Sequence, residues 1–444
     1  MEAIESTISE INDVIPAPKW SLRHRIAFRF SSLYLVLFCL ATQIFGSLFP
    51  IPGLDIPRLS SFSLMREITF WTAHHVFHVR GTVTWAQGDS MFGWVLTFCL
   101  VVFAALSTLL WSLLDRTRPN YLALQGWFRL FFRFALAGQM FTYGMAKVIP
   151  NQMSYPPLTR LLEPYHDFSP QAVLWYSVGV SPAYEIFAGS AELLGGLLLL
   201  IPRTAMLGAM ICMADMIQVF TLNMTYDVPV KLLSFHLLLL AIYLLAPEAL
   251  RLADFFFTDR AVRSPAGHRL FRARRRNQIA VAAQILFGLF LLGMNARANW
   301  NRWHLSGGAH ARSPLYGIWD VEELSIDGYL RLPLLTDYGR WHRAVFDYTD
   351  RMTFQRMDDS FANYRASIQP SLAPVSTGTL ALTSDVDKNR KASLTFARAG
   401  PDRLTLDGIM EGHAMHMLLR RIDHTRFVLV ERGFQWIQEN TFNH

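Results

Sequence analysis

The chain has 444 residues, of which 52% are apolar, 13% aromatic and only 17% charged, against roughly 25% charged in soluble proteins. That balance excludes a single small soluble domain. The formal charge of +7 sits in arginine runs beside apolar segments, as the positive-inside rule places it, and not along a nucleic-acid-binding face, so no nucleic-acid partner is expected.

Residues 1–27 are polar, with Pro16, Pro18, Lys19, Arg23 and Arg25. They read as a cytoplasmic tail with an interfacial Trp20, and no cleavable signal peptide is expected. The first apolar run, about 28–49, is long enough to act as an uncleaved anchor. Residues 50–92 are mixed and suggest an outer loop with a short surface helix near WTAHHVFHV. Further spans are expected at about 94–114, 130–149, 184–201, 205–222, 230–246 and 279–294, seven in all. Cys39, Cys99 and Cys212 all fall inside apolar segments, outside any CxxC or ligand spacing, and are expected as small buried residues.

The arginine blocks orient these spans. The N-terminal tail, the Arg116–Arg133 stretch, the turn at Arg203 and the basic loop 249–277 (with Arg251, Arg260, Arg263, Arg269, Arg272, Arg274, Arg275 and Arg276) belong on one side. Seven spans satisfy all four and put residues 297–444 outside. From about Tyr316 short segments such as GTLALT, KASLTFA and DRLTLDG alternate apolar and polar residues between Gly, Asp and Pro. That period of two predicts an antiparallel barrel of roughly eight to ten strands. The expected organisation is a tail (1–27), a membrane all-α helical bundle (28–296) and an extracytoplasmic all-β barrel (297–444).

Ionisable groups inside spans are costly and mark sites. With the directions above, Lys147, Glu192, Asp215, Asp227, Lys231 and His236 all fall in the outer half of the bilayer, and an outward-facing polar pocket is expected there. Gln139, Tyr143 and Lys147 repeat every four residues and share a helix face. Gly189, Gly195 and Gly196 make a small-residue face around Glu192 that permits close packing. Glu192–Lys147 and Asp227–Lys231 pairs would either lock the bundle or build a ligand or reaction site.

YGMAKVIPNQM, the LLEPYHDFSP loop, AELLGGLLLLIPRTAMLGA, LNMTYDVPVKLLSFHLLLLAIYLLAPE, DRTRPNY and QGDSMFGW together resemble the large DoxX-like bacterial membrane proteins over roughly residues 25–260. The resemblance implies a four-helix core distantly similar to the DoxD-type subunit of thiosulfate:quinone oxidoreductase, also compared with vitamin-K-dependent carboxylases. It implies a redox or quinone-linked role in the bacterial inner (cytoplasmic) membrane. The matching residues are Lys147, Tyr165, Glu192, Arg203, Asn223, Tyr226, Asp227, Lys231 and His236; the usual GDT is Gly88-Asp89-Ser90 here. Gly317-Ile318-Trp319 at the start of the barrel resembles the GxW opening of lipocalin-like barrels, with Arg432 the candidate to pack across Trp319. Such a barrel either encloses an apolar ligand or is filled by its own side chains.

The chemistry expected of the pocket follows. His236 exchanges protons, oriented by Glu192 or Asp227. Lys147 or Lys231 polarises a quinone carbonyl or binds an anion. Tyr143, Tyr165, Asp215, Asn223, Tyr226 and Lys231 complete the ligand site. No nucleophile elbow, Walker motif, dinucleotide fingerprint or built-in redox centre is visible, so electrons would come from a soluble redox partner. His74, His75 and His78 include an i,i+4 pair that suits either a metal or haem or an interfacial aromatic surface; no metal site is assigned. The rival reading is non-enzymatic: capture of a membrane lipid or other apolar ligand, or an envelope scaffold.

Overall fold

The computed structural model describes residues 19–86, 88–258, 271, 273–371 and 376–439. The expected tail up to residue 18 and the loop arginines Arg260, Arg263, Arg269 and Arg272 lie outside these. The chain divides into two compact units, Met1–Gln152 with Ala183–Asn301, and Met153–Pro182 with Arg302–His444.

The first unit is a helical bundle. Its helices are α1 (Leu22–Ala41), α2 (Ser63–His75), α3 (Met91–Leu114) and α4 (Leu122–Val148). After α5 (Pro170–Gly179), which belongs to the second unit, come α6 (Pro182–Leu200), α7 (Ala205–Thr225), α8 (Lys231–Leu245), α9 (Ala249–Phe257) and α10 (Arg274–Leu305). Among the described residues six helical segments are long and apolar enough to cross a membrane: α1, α3, α6, α7, α8 running on through α9, and α10. The remaining span expected from the sequence is α4. It is long enough at 27 residues, but carries Arg129, Arg133 and Lys147. These charges are tolerated because α4 runs through the core: Phe132, Ala135, Leu136, Ala137, Met140 and Phe141 are all 0% exposed. Arg133 donates to the carbonyls of Leu199 and Leu200 at 2.7–2.9 Å, closing the open end of α6. Arg129 lies 3.8 Å from Glu248.

One end of the bundle is tied by a buried arginine. Arg29 of α1 donates to Ser112 Oγ and the Asp115 carbonyl, each at 2.7 Å, and to the Tyr121 hydroxyl at 3.0 Å. Tyr121 in turn donates to Asp115 Oδ2 at 2.9 Å. The DRTRPNY stretch is therefore a clasp that fully pairs a buried cation, as burial requires. The first span differs from expectation. It stops at Thr42, whose backbone is extended, and resumes as one helical turn at Gln43–Gly46. The Thr42 hydroxyl and amide both donate to the Phe38 carbonyl. The surface helix also comes earlier than expected, over Ser63–His75.

Among the described residues of the second unit there are nine strands: β1 (Arg312–Ile326), β2 (Tyr329–Leu330), β3 (Trp341–Tyr348), β4 (Arg351–Arg356), β5 (Phe361–Pro370), β6 (Thr377–Ser384), β7 (Lys391–Arg398), β8 (Arg403–Met410) and β9 (His413–Ile422). All neighbours are antiparallel, β2 is a two-residue edge on β1, and β1 pairs with β9, so eight long strands close an up-and-down barrel. Alternation is clean in β6 and β7. The interior is filled: Trp319, Phe346, Phe354 and Phe396 are at most 2% exposed, and Trp341 stacks on Phe354 at 3.6 Å. Arg340, 1% exposed, donates to the carbonyls of Arg331, Trp341 and Val321. The cation over the Trp319 ring is Arg398 at 5.7 Å. This corrects the expectation for Arg432, which lies exposed beyond the last strand.

Ile318 and Trp319 are consecutive, yet both are 0% exposed. The reason is a second apolar layer. Residues 153–182, expected as an outer loop of the bundle, fold with the barrel. Leu158, Leu161 and Leu162 cover Ile318, Val345 and Ile422 on its outer wall. The Leu158 amide donates to Asp347 Oδ2 at 2.9 Å, and the Thr159 amide also bonds this carboxylate. Desolvation outweighs these bonds and pushes the Asp347 carboxyl up to about 6 from its usual 3.8. A carboxyl raised on folding binds more protons folded than unfolded, so its contribution falls as pH rises between these two values. The wild-type unit should lose about 2 kcal/mol between pH 4 and 6.5 through this group. Asp347→Asn should flatten that slope in thermal unfolding followed across the pH range. An unchanged slope would mean that Asp347 is not desolvated.

Candidate functional site in the helical unit

The expected site residues separate into three groups. The first is built by glycines. A Cβ on Gly189 of α6 would lie 2.6 Å from the Lys147 Cβ and 2.7 Å from the Gly144 carbonyl of α4. Only glycine permits this approach. It brings the Lys147 ammonium onto Glu192 Oε1 in a buried ion pair, with the two residues 7% and 2% exposed. On the far side of α6, Gly195 and Gly208 allow a similar approach to α7, whose Asp215 lies within electrostatic reach of Glu192 and Lys147. Glu192 Oε2 and Asp215 Oδ2 are buried without hydrogen-bond partners among the described residues. One turn back on α4, Tyr143 accepts from Gln43 Nε2 at 2.8 Å, and Gln43 also bonds Gln139 at 3.2 Å. The set therefore offers two open acceptor atoms beside one ammonium, linked by proximity to a Tyr–Gln network.

His236 of α8 stands apart. Its Nδ1 faces the Leu232 carbonyl at 2.6 Å and its Nε2 faces the Tyr34 hydroxyl at 2.6 Å. The carbonyl can only accept, so Nδ1 carries the proton and Nε2 accepts from Tyr34. The ring lies flat on Phe38, centroids 3.5 Å apart. With both nitrogens occupied, the expectation that Glu192 or Asp227 orients His236 is corrected: Tyr34, Phe38 and Leu232 do so.

The third group closes the turn between α7 and α8. Lys231 pairs with Asp227 at 2.8 Å and lies 3.9 Å from Asp89. Asp89 accepts from the amides of Lys231 and Leu232 at 2.7 and 2.8 Å, capping α8 from a distant loop. Gly88, with φ +73°, gives that loop its close approach, since a Cβ there would meet the Pro229 carbonyl at 2.7 Å. Ser90 caps α3 by accepting from the Gly93 amide. Asn223 donates to Ser234, and Tyr226 is half-buried at the end of α7. Tyr165 is exposed and belongs to the second unit. His78 has a left-handed backbone (φ +51°) beyond the end of α2, which takes it off the helical face that the His74–His78 pair needs. Among the described residues no group of three His, Cys, Asp or Glu is placed to hold a metal.

Between the groups lies a cavity of about 340 Å³. Phe38, Phe92, Leu96 and Leu100 make apolar walls; Trp85, Arg58, Thr42, Gln43 and Thr97 supply polar edges. Two of its lining residues touch the other groups. Phe38 presents its ring to His236, and Gln43 leads to Tyr143 and so toward Lys147. Sequence reasoning missed Tyr34, Phe38, Thr42 and Gln43, because they lie in an apparently uninterrupted first span. Gln43, a polar residue next to a β-branched Thr near the end of that span, was the available signal.

A helical bundle with six apolar candidate spans and a closed antiparallel barrel define a polytopic membrane protein with an appended β-domain. The chain belongs to the family of the uncharacterized protein YwoB of Bacillus subtilis (strain 168), to which it is 38% identical over 114 residues, 26% of this chain and 72% of YwoB. No family model and no solved structure matches.

Removing one partner of a buried pair strands the other charge, at a cost of about 3–5 kcal/mol, whereas replacing both with apolar groups is far milder. Lys147→Met should therefore lower the melting temperature in detergent strongly, and Lys147→Met with Glu192→Met should recover much of the loss. Additive losses in the double variant would show that the two side chains are not coupled.

Proposed function

We propose that the helical unit binds a lipid-soluble molecule with a flat carbonyl-bearing head, of the quinone class, in the cavity between α1, α3 and the start of α8. The protein would then act as a quinone-linked component of a bacterial inner membrane, with electrons delivered by a soluble partner. One observation carries the reading: aromatic walls from Phe38, Phe92 and Trp85 face the polar edges of Thr42, Gln43 and Thr97 in one chamber. Binding sites for such ligands are mostly apolar, with a few placed polar groups. In this reading Gln43, whose Nε2 hydrogens go to Gln139 and Tyr143, accepts through its Oε1 from a hydroxyl of the reduced head, and the Lys147–Glu192–Asp215 group tunes the field around it. The arginine distribution supports a cytoplasmic N-terminus and, with α4 counted as a seventh crossing, an extracytoplasmic barrel. The filled barrel interior argues against the rival in which the barrel holds the ligand.

The test is solvent extraction and mass spectrometry of the full chain purified from quinone-containing membranes. Wild-type protein should retain quinone. Gln43→Leu should reduce the retained amount about three- to tenfold, the worth of one hydrogen bond, and Thr97→Trp should remove it by filling the chamber. A wild-type chain without quinone, or retention unaffected by both variants, would sink the reading.

A further inference from the structure

A second concave surface lies on other helices and is independent of the quinone chamber. Trp127, Leu130 and Phe134 form a stripe on α4, and Arg276, Ile279, Ala280, Ala283 and Phe287 form a stripe on α10. The spacings are those of one helical face. Together they line a groove of about 560 Å³ in which Arg276 and Gln284 are the polar residues and no acidic residue takes part. We propose that this groove is a binding site for one anionic phospholipid.

Three observations favour this occupant. The first is length. From Arg276 to Phe287 the stripe runs about 16 Å at 1.5 Å per residue, close to the depth of one leaflet of a hydrocarbon core about 30 Å thick. An acyl chain entering beside Arg276 would be covered along its length. The second is charge. Arg276 is exposed in the first turn of α10, directly after Arg274 and Arg275 in the chain. Trp127 lies near the start of α4. The positive ends of two long helices therefore meet the cation at the same mouth, a combination that suits a phosphate. The third is the mouth itself. Trp127 is 51% exposed, and its ring packs edge-on against Phe271 at 6.2 Å. A half-exposed Trp beside arginines is the usual furniture of the headgroup level, and basic pockets between spanning helices are a recurrent form of anionic-lipid site.

Native mass spectrometry of the full chain in mild detergent, titrated with an equimolar mixture of phosphatidylglycerol and phosphatidylcholine, tests this. Wild-type protein should keep one phosphatidylglycerol in about fivefold preference, the effect of one arginine at a membrane surface. Arg276→Gln should bring the two lipids to near-equal binding. Ala283→Trp, which blocks the groove between the stripes, should lose the retained lipid of either kind. Equal binding of both lipids by wild type, or a full preference in Arg276→Gln, would overturn the proposal. These two readouts decide the matter even if Ala283→Trp fails to fold.

Discussion

The helical unit depends on one backbone contact, the crossing of α4 and α6 at Gly144 and Gly189. There is no room for a Cβ on either helix at that point. The approach sets Lys147 against Glu192 where both are buried. A buried pair of this kind contributes little net stability over an apolar replacement, but it tolerates no half-measures: each charge is admissible only because the other is present. The same helix repeats the device on its other side, where Gly195 and Gly208 bring α7 and Asp215 close. Two carboxylate oxygens are left open beside one ammonium. That local excess of acceptors is a departure from the usual rule that buried polar atoms find partners, and such departures gather at functional sites.

The broken first helix makes the neighbouring chamber. Had α1 continued through Thr42, Gln43 would have followed the helical path. Instead the chain extends for one residue, and Gln43 bonds Gln139 and Tyr143 while also lining the cavity. Upstream on the same helix, Tyr34 and Phe38 hold His236 by its edge and its face. His236 is thereby held in one tautomer behind Phe38, and the polar groups that line the chamber are Gln43 and its threonine neighbours. Asp89 plays the corresponding part at the α8 end, where it binds the first amides of that helix from a loop about 140 residues earlier in the chain.

The barrel is organised on a different principle. Its eight long strands close on themselves, and aromatic side chains fill the interior. Closure removes the exposed edges that isolated sheets must protect. Its outer wall carries a second apolar layer where Leu158 packs on Ile318 and Val345. The cost of that cover is a desolvated Asp347, which holds two amides of the covering segment.

Much of this was legible in the chain. Hydropathy located the six apolar spans and the charged seventh helix, because a lipid-facing segment must be apolar over its whole length. Period-two alternation announced the barrel, and the small-residue face around Glu192 announced close packing and the Lys147 pair. The depth argument, however, treated polar residues at one level as one pocket. The structure separates them into the Lys147 group, the His236 group and the Asp227–Lys231 turn, since depth says nothing about rotation around each helix axis. Residues 153–182 read as a loop between spans, because their leucines have no periodic pattern of their own and acquire a role only against Ile318. Residue type and spacing by themselves determined which long apolar segments are helices, that the C-terminal part is an antiparallel barrel, and which charges needed partners. Only the tertiary structure decided which partners they took, because pairing depends on where helices cross and where one helix breaks, and those are properties of packing between segments far apart in the chain.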